Sequence, residues 1–187
     1  MDNIVGLYAS TEGRISRKSF WLGVLGLVVV NILIALLILP MVGVSMMPNF
    51  AAMVNDPNVD PNAMAQLIAD SMRSSSWASL ILFGIFAYPV YALSIKRRHD
   101  KDNNGMDVVI YLGLTALLLL IQALGIGLDS MTIGNITIPT PSLWLSLLTF
   151  AVGIYAIYLL VVLGFLKGTT GPNQYGPDPL GTAVATA

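Results

Sequence analysis

The chain has 187 residues, of which 56% are hydrophobic and only 10% are charged, and its formal net charge is −1. Soluble domains typically carry about 25% charged residues, so this composition argues against a soluble enzyme. Nine basic against ten acidic residues give no positive excess for binding nucleic acid. The absence of cysteine excludes disulfides and thiolate metal sites. We therefore expect a small integral membrane protein that is not an enzyme and that has no cofactor and no metal site.

Four segments are long and apolar enough to cross the lipid bilayer as helices, which takes about 20 residues. They contain no Asp, Glu, Lys, Arg or His, and they run over about 20–44, 77–95, 108–128 and 143–166. This pattern predicts an all-α membrane protein with four transmembrane helices. Residues 1–19 precede this domain of residues 20–166, and a tail rich in glycine and proline follows at 167–187.

The long loop between the first and second spans, about 45–76, contains a turn-forming run at Asn55–Asn62. Apolar residues then recur at helical spacing from Met64 to Met72, which predicts a short amphipathic helix on the outer membrane surface or on the ends of the spans. An alternative is a calcium loop, although the run lacks the glycine and the final glutamate of an EF-hand. Its ligands would be Asp56, Asp60 and Asn62.

Two further features lie in or just before the shorter loop at 129–142. Gly125 and Gly127, at the end of the predicted third span, are expected to let helices approach closely. Within the loop, Thr and Ile residues on both sides of Gly134-Asn135 predict a small β-hairpin.

The basic residues predict the orientation in the membrane. Eight of the nine lie before the first span, between the second and third, or after the fourth. These eight are Arg14, Arg17, Lys18, Lys96, Arg97, Arg98, Lys101 and Lys167. Only Arg73 lies in a loop on the other side. Because basic loops stay on the cytoplasmic side, we expect both termini to be cytoplasmic.

The same basic residues belong to three polar segments, at 13–21, 96–105 and 168–179. We expect these segments to meet in one group of side chains, called here the polar cluster. Its members are Arg14, Arg17, Arg97, Arg98, His99, Asp100, Asn173, Tyr175 and Asp178. The cluster has two interpretations. It is either a structural plug that satisfies helix ends, or a binding site for an anionic lipid headgroup or phosphate.

These three segments resemble the signatures of the domain of unknown function 805 family, small bacterial inner-membrane proteins with no established activity. The matching positions are Gly13, Arg14, Arg17, Phe20 and Trp21, then Lys96, Arg97, His99 and Asp100, then Gly168, Thr169, Gly171, Asn173, Tyr175, Gly176, Pro177, Asp178 and Pro179. The chain has Asp102 where the family usually has glycine, and Met106 and Asp107 where it usually has two tryptophans. The resemblance implies a multi-pass protein of the bacterial inner membrane.

Three functions remain open from the sequence. The first is an accessory or scaffold subunit of a larger membrane assembly, with a membrane protein or a second copy of the chain as partner. The second is a module that binds anionic lipid headgroups or small anions on the cytoplasmic face. The third is an oligomeric transporter or channel, which the absence of ionisable residues from the predicted spans disfavours.

Overall fold

The structure is a computed structural model that describes residues 4–41, 60–133 and 136–181. Five helices follow one another in these residues, with one pair of strands between the fourth and the fifth. The helices are α1 (Ile4–Ala9), α2 (Arg17–Met41), α3 (Pro61–His99), α4 (Met106–Ala123) and α5 (Leu143–Phe165). The strands are β1 (Leu128–Ile133) and β2 (Ile136–Pro141).

Four of the helices have the length and apolar composition needed to cross a membrane, namely α2, the stretch Ala65–His99 of α3, α4 and α5. The prediction of four such helices is therefore confirmed. Helices α2 and α5 each contain a π-helical turn, at Ile34–Ile38 and Val161–Phe165. Most of their apolar side chains are exposed on the protein, as expected of helices that face lipid.

Helix α3 corrects the prediction of a separate short helix in the first long loop. Residues 61–76 form the first part of one continuous helix of 39 residues, which is about 58 Å long at 1.5 Å per residue. No glycine or proline interrupts the chain between Pro61 and Gly84. The hydroxyls of Ser75 and Ser76 donate to the carbonyl of Met72 instead of capping a new helix. Asp56 of the calcium-loop alternative lies outside the described residues.

Helix α4 ends five residues earlier than predicted. Gly125 and Gly127 have positive φ angles of 69° and 78°, a conformation that glycine adopts readily and that ends a helix. The expectation that they lie within a span is therefore wrong. A Cβ atom at Gly127 would collide with the ring of Trp144. Gly127 therefore permits a close approach between the turn and Trp144, and not between two helices.

The predicted hairpin is present and is longer than expected. Strands β1 and β2 pair antiparallel, from Leu128 opposite Pro141 to Ile133 opposite Ile136. The Gly134-Asn135 pair lies outside the described residues. The described residues are therefore predominantly helical, with one two-stranded hairpin.

The described chain divides into two compact units. The first unit contains residues 4–30, 84–113 and 153–181, and the second contains 31–83 and 114–152 without the undescribed residues. The first unit has an apolar core that brings together parts of the chain more than 100 residues apart. Its buried members are Ile15, Phe20, Leu93, Val108, Leu159 and Leu163. The three polar segments also belong to this first unit.

Candidate functional site

Arg14 lies just before α2 and is the centre of the polar cluster. Its Nε and Nη2 donate to Oδ1 of Asp100 at 3.2 and 3.0 Å. The remaining N–H groups reach tail carbonyls, at 2.7 Å for Thr169, 2.7 Å for Gly171 and 3.3 Å for Gly176. A guanidinium has five N–H donors, so all five are used. The side chain is also only 1% exposed. Arg14 therefore has no N–H donor left for a ligand.

Arg97 is the second arginine of the cluster and is fully buried. Its Nη1 donates to Oδ2 of Asp100, and this carboxylate therefore bridges two arginines. Its Nε donates to the carbonyl of Leu163 at 2.8 Å, and its Nη2 donates to the carbonyl of Leu166. The last carbonyls of a helix lack partners within the helix and attract cations. Arg97 thus satisfies the end of α5, and its burial is compensated by pairing.

The start of the tail passes directly over Asp100. The backbone N–H and the hydroxyl of Thr169 both donate to the Asp100 carbonyl, at 2.8 and 3.1 Å. A Cβ atom at Gly168 would overlap the Asp100 carboxylate and would lie 2.8 Å from its carbonyl oxygen. The close approach therefore requires glycine at position 168.

His99 and Tyr175 attach the next part of the tail. Their rings stack with centroids 3.9 Å apart and planes at 5°. Nδ1 of His99 lies 3.2 Å from the carbonyl of Gly13, and because a carbonyl only accepts, Nδ1 is assigned the proton. The amide of Asn173 donates to the His99 carbonyl at 2.9 Å. Asn173 and Gly176 exchange two backbone hydrogen bonds, which closes a tight turn around Tyr175.

Asp178 forms no ion pair with an arginine in the described part of the chain. Its carboxylate accepts hydrogen bonds from the backbone N–H groups of Leu180 and Gly171, both at 2.9 Å. These two bonds hold the pKa of Asp178 below its ordinary value. Asp178 therefore fixes the turns of the tail itself.

Arg98 and Arg17 lie outside the group around Asp100. Arg98 pairs with Asp107 of α4 at 3.0 Å. Asp107 occupies one of the positions where this chain departs from the family pattern, and the sequence did not identify it as a cluster residue. Arg17 is exposed, and its Nη1 donates to the carbonyl of Phe165 at 3.2 Å.

Two more residues hold this unit together and were absent from the predicted cluster. Nζ of Lys96 donates to the carbonyls of Gly6 and Leu7, both at 2.7 Å, and so binds the end of α1. Nε1 of Trp21 donates to the carbonyl of Gly164 at 3.1 Å. The basic run containing Lys96 was a signal for the first contact. Backbone carbonyls carry no side-chain signature, so neither partner could be identified from the sequence.

A cavity of about 290 Å³ lies beside the cluster, and Arg17, Lys167 and Thr170 are among its lining residues. Arg17 and Lys167 are both exposed. Nζ of Lys101 donates to the carbonyl of Lys167 at 3.0 Å. Burial, and next the charges of nearby arginines, lower the pKa of Lys101. Among the described residues that line this cavity, Arg17 and Lys167 are exposed cations whose N–H donors are not all used.

Comparison with known proteins shows which family the chain belongs to. A family model described as "Protein of unknown function (DUF805)" matches residues 8–177. The match includes the first two polar segments and the third as far as Pro177. No curated protein and no solved structure was found to match the chain. The match covers most of the chain, which has four helices of membrane-crossing length. The chain therefore belongs to the DUF805 family, whose function is unknown.

Proposed function

We propose that the protein is a non-enzymatic accessory or scaffold subunit of a larger assembly in the bacterial inner membrane. The observation that carries this proposal is the complete use of the Arg14 donors by Asp100 and by the tail. A binding or catalytic site needs polar groups that remain available to a ligand. In the group around Asp100 the charges bind one another and the backbone, which supports a role in fixing the shape of this unit.

The proposal places the polar cluster on the cytoplasmic side, with both termini. Its basis is the concentration of eight of the nine basic residues in the segments that flank this side. The contacts between Arg14 and the tail also support a common side for the two ends of the chain.

A scaffold needs surfaces of fixed shape that a partner can recognise. The tail is held by Arg14, His99 and Asp100 through hydrogen bonds and one ring stack, so its outer surface has a defined form. Helix α2 offers a second surface, since only 11% of its most apolar stretch is buried. We propose that a partner helix covers part of α2 while the tail sets the register of the contact.

Affinity purification from native membranes tests this function. A tagged chain is extracted in mild detergent after brief crosslinking, and co-purified proteins are quantified by mass spectrometry. We expect a partner in stoichiometric amount with the wild type, and at least a tenfold loss with Arg14→Ala at equal membrane abundance. Glu12→Ala, a change at an exposed residue two positions away, is the control. A wild-type chain recovered without a stoichiometric partner contradicts the proposal.

The cavity beside Arg17 and Lys167 favours a second candidate function, the binding of an anionic lipid headgroup. Both cations keep free donors at its wall, whereas Arg14 has none. Native mass spectrometry with phosphatidylglycerol tests this function. We expect the double variant Arg17→Ala/Lys167→Ala to lose the retained lipid and Lys18→Ala, outside the cavity, to keep it. Equal retention by the wild type and the double variant contradicts this candidate.

A further inference from the structure

The second unit contains a cavity of about 680 Å³ that the proposed function does not use. Its walls come from α3, the end of α4, the β1–β2 hairpin and the first turns of α5. Ligand sites for small molecules commonly enclose about 300–1,000 Å³. The cavity is therefore large enough for a lipid headgroup and the adjoining part of an acyl chain.

The charged part of the wall lies on α3. Ala69, Met72, Arg73 and Ser76 line the cavity, and their spacing places them on one face of the helix. Asp70 is also at the wall. Arg73 and Asp70 are exposed, and neither has an ion-pair partner in the described part of the chain. A cation and an anion without an ion-pair partner among the described residues thus lie within a single turn of helix.

Gln122 adds an uncharged donor and acceptor at the end of α4. It lines the cavity and is half-buried, and its side-chain amide forms no hydrogen bond with any described residue. The hydroxyls of Ser76 and Thr149, also at the wall, donate to carbonyls of their own helices instead. The Gln122 amide therefore remains available to a polar ligand group.

Another part of the wall is apolar. Leu124, Leu128, Leu145 and Phe150 line it, and Phe150 is 67% exposed. Phe150 belongs to α5, a helix apolar enough to cross a membrane. The apolar wall thus continues onto a helix surface suited to lipid, along which an acyl chain can lie.

We propose that this cavity binds one phospholipid with a zwitterionic aminophosphate headgroup. The phosphate pairs with Arg73, because a guanidinium matches phosphate geometry with two parallel hydrogen bonds. The ammonium pairs with Asp70, Gln122 bonds to ester or glycerol oxygens, and the acyl chain lies along Leu145 and Phe150. Charge complementarity selects this ligand, since an anionic lipid leaves the Asp70 carboxylate facing negative charge and without a partner.

Lipid retention by the full chain tests the proposal. The protein is purified in mild detergent and is offered phosphatidylethanolamine, phosphatidylglycerol or inorganic phosphate before native mass spectrometry. We expect one phosphatidylethanolamine per chain, and about tenfold weaker retention in Arg73→Ala. Asp70→Asn is expected to remove the preference for phosphatidylethanolamine over phosphatidylglycerol. Lys18→Ala and Asp129→Asn, which are exposed and outside the cavity, serve as controls.

Three results overturn the proposal. The first is equal phosphatidylethanolamine retention by the wild type and both cavity variants. The second is saturation of the site by inorganic phosphate alone, which removes the lipid from the assignment. The third is a wild type that retains no lipid and crosslinks residues 42–59 of its own chain to position 73, which identifies that segment as the occupant.

Discussion

The buried charges around Asp100 are tolerated in this protein because they are paired with one another. Asp100 accepts from Arg14 and Arg97, and the arginines give their other donors to carbonyls of the tail and of α5. Removing one partner of such a pair typically costs about 3–5 kcal/mol, since the remaining charge stays buried. Through the side chains of Arg14 and Asp100, the cluster therefore links two segments that are 86 residues apart.

The sequence predicted some of these contacts and could not predict others. Arg97 and Asp100 were both predicted members of the cluster, and they are three residues apart, a spacing at which side chains meet on a helix. The structure has this ion pair. The contacts from Arg14 to tail carbonyls carried no such signal, because every residue has a carbonyl. The ion pair between Arg98 and Asp107 was hidden by the turn between α3 and α4, which sets their distance.

Asp102 is in a backbone conformation that favours glycine, with φ at 56°. In this region the backbone of a non-glycine residue is destabilised by about 1–2 kcal/mol, and that of aspartate by somewhat less. We predict that Asp102→Gly stabilises the protein by about 0.5–1 kcal/mol, after the added flexibility of the unfolded chain is counted. Thermal unfolding in detergent measures the effect, with Asp102→Ala as the control. A lower melting temperature for Asp102→Gly contradicts this account of the turn.

At the scale of the elements, apolar composition identified the spans and local hydrogen bonding decided their ends. The four spans were found because about 20 apolar residues have few alternatives to a membrane helix. The joining of residues 61–76 to α3 was missed, because the apolar span was predicted to begin near residue 77 and the helical spacing before it was interpreted as a separate short helix. Between these two predicted segments lie the hydroxyls of Ser75 and Ser76. In the structure these hydroxyls bond within the helix, and the helix continues.

The continuity of α3 is tested with proline at position 75. A proline in a helix interior removes a hydrogen bond and costs about 3 kcal/mol. We therefore predict a large loss of stability for Ser75→Pro, and a change within about 0.5 kcal/mol for Ser75→Ala at the same site. Thermal unfolding monitored by circular dichroism measures both. Equal stability of the two variants would indicate that the helix is broken near residue 75.

The contact between the tail and Asp100, the residue after α3, is tested at Gly168. An added methyl group there would overlap Asp100, so we predict that Gly168→Ala displaces the tail. The readout is hydrogen exchange at the Thr169 amide, which donates to the Asp100 carbonyl; exchange is expected to accelerate at least tenfold. Gly153→Ala is the matched control, because its Cβ meets no atom within 4 Å. Unchanged protection of Thr169 contradicts the tight approach.

At the scale of the whole molecule, charged residues are few, and their positions along the chain predict how it lies in the membrane. The composition predicted a membrane protein and the basic residues predicted an orientation. That the three polar segments meet was expected from their shared side, and the structure places them in hydrogen-bonding contact. Which arginine pairs with which aspartate could not be predicted from the sequence, since several pairings would neutralise the same charges.

Orientation is tested with reporter fusions after residues 60 and 181. We predict that a fusion at 181 is active only with a reporter that works in the cytoplasm. A fusion at 60 is predicted to be active only with one that works outside it, because residue 60 lies between the first and second spans. A cytoplasmic signal at residue 60 contradicts the topology.

The central claim is that the polar cluster holds distant parts of the chain together without a ligand. A double-mutant cycle of Arg14→Gln and Asp100→Asn tests it most directly, by thermal unfolding in detergent with no added lipid or anion. Because the two side chains pair at 3.0 Å in a buried setting, the account predicts a coupling free energy of about 0.5–3 kcal/mol. Effects that add to within about 0.3–0.5 kcal/mol would contradict it.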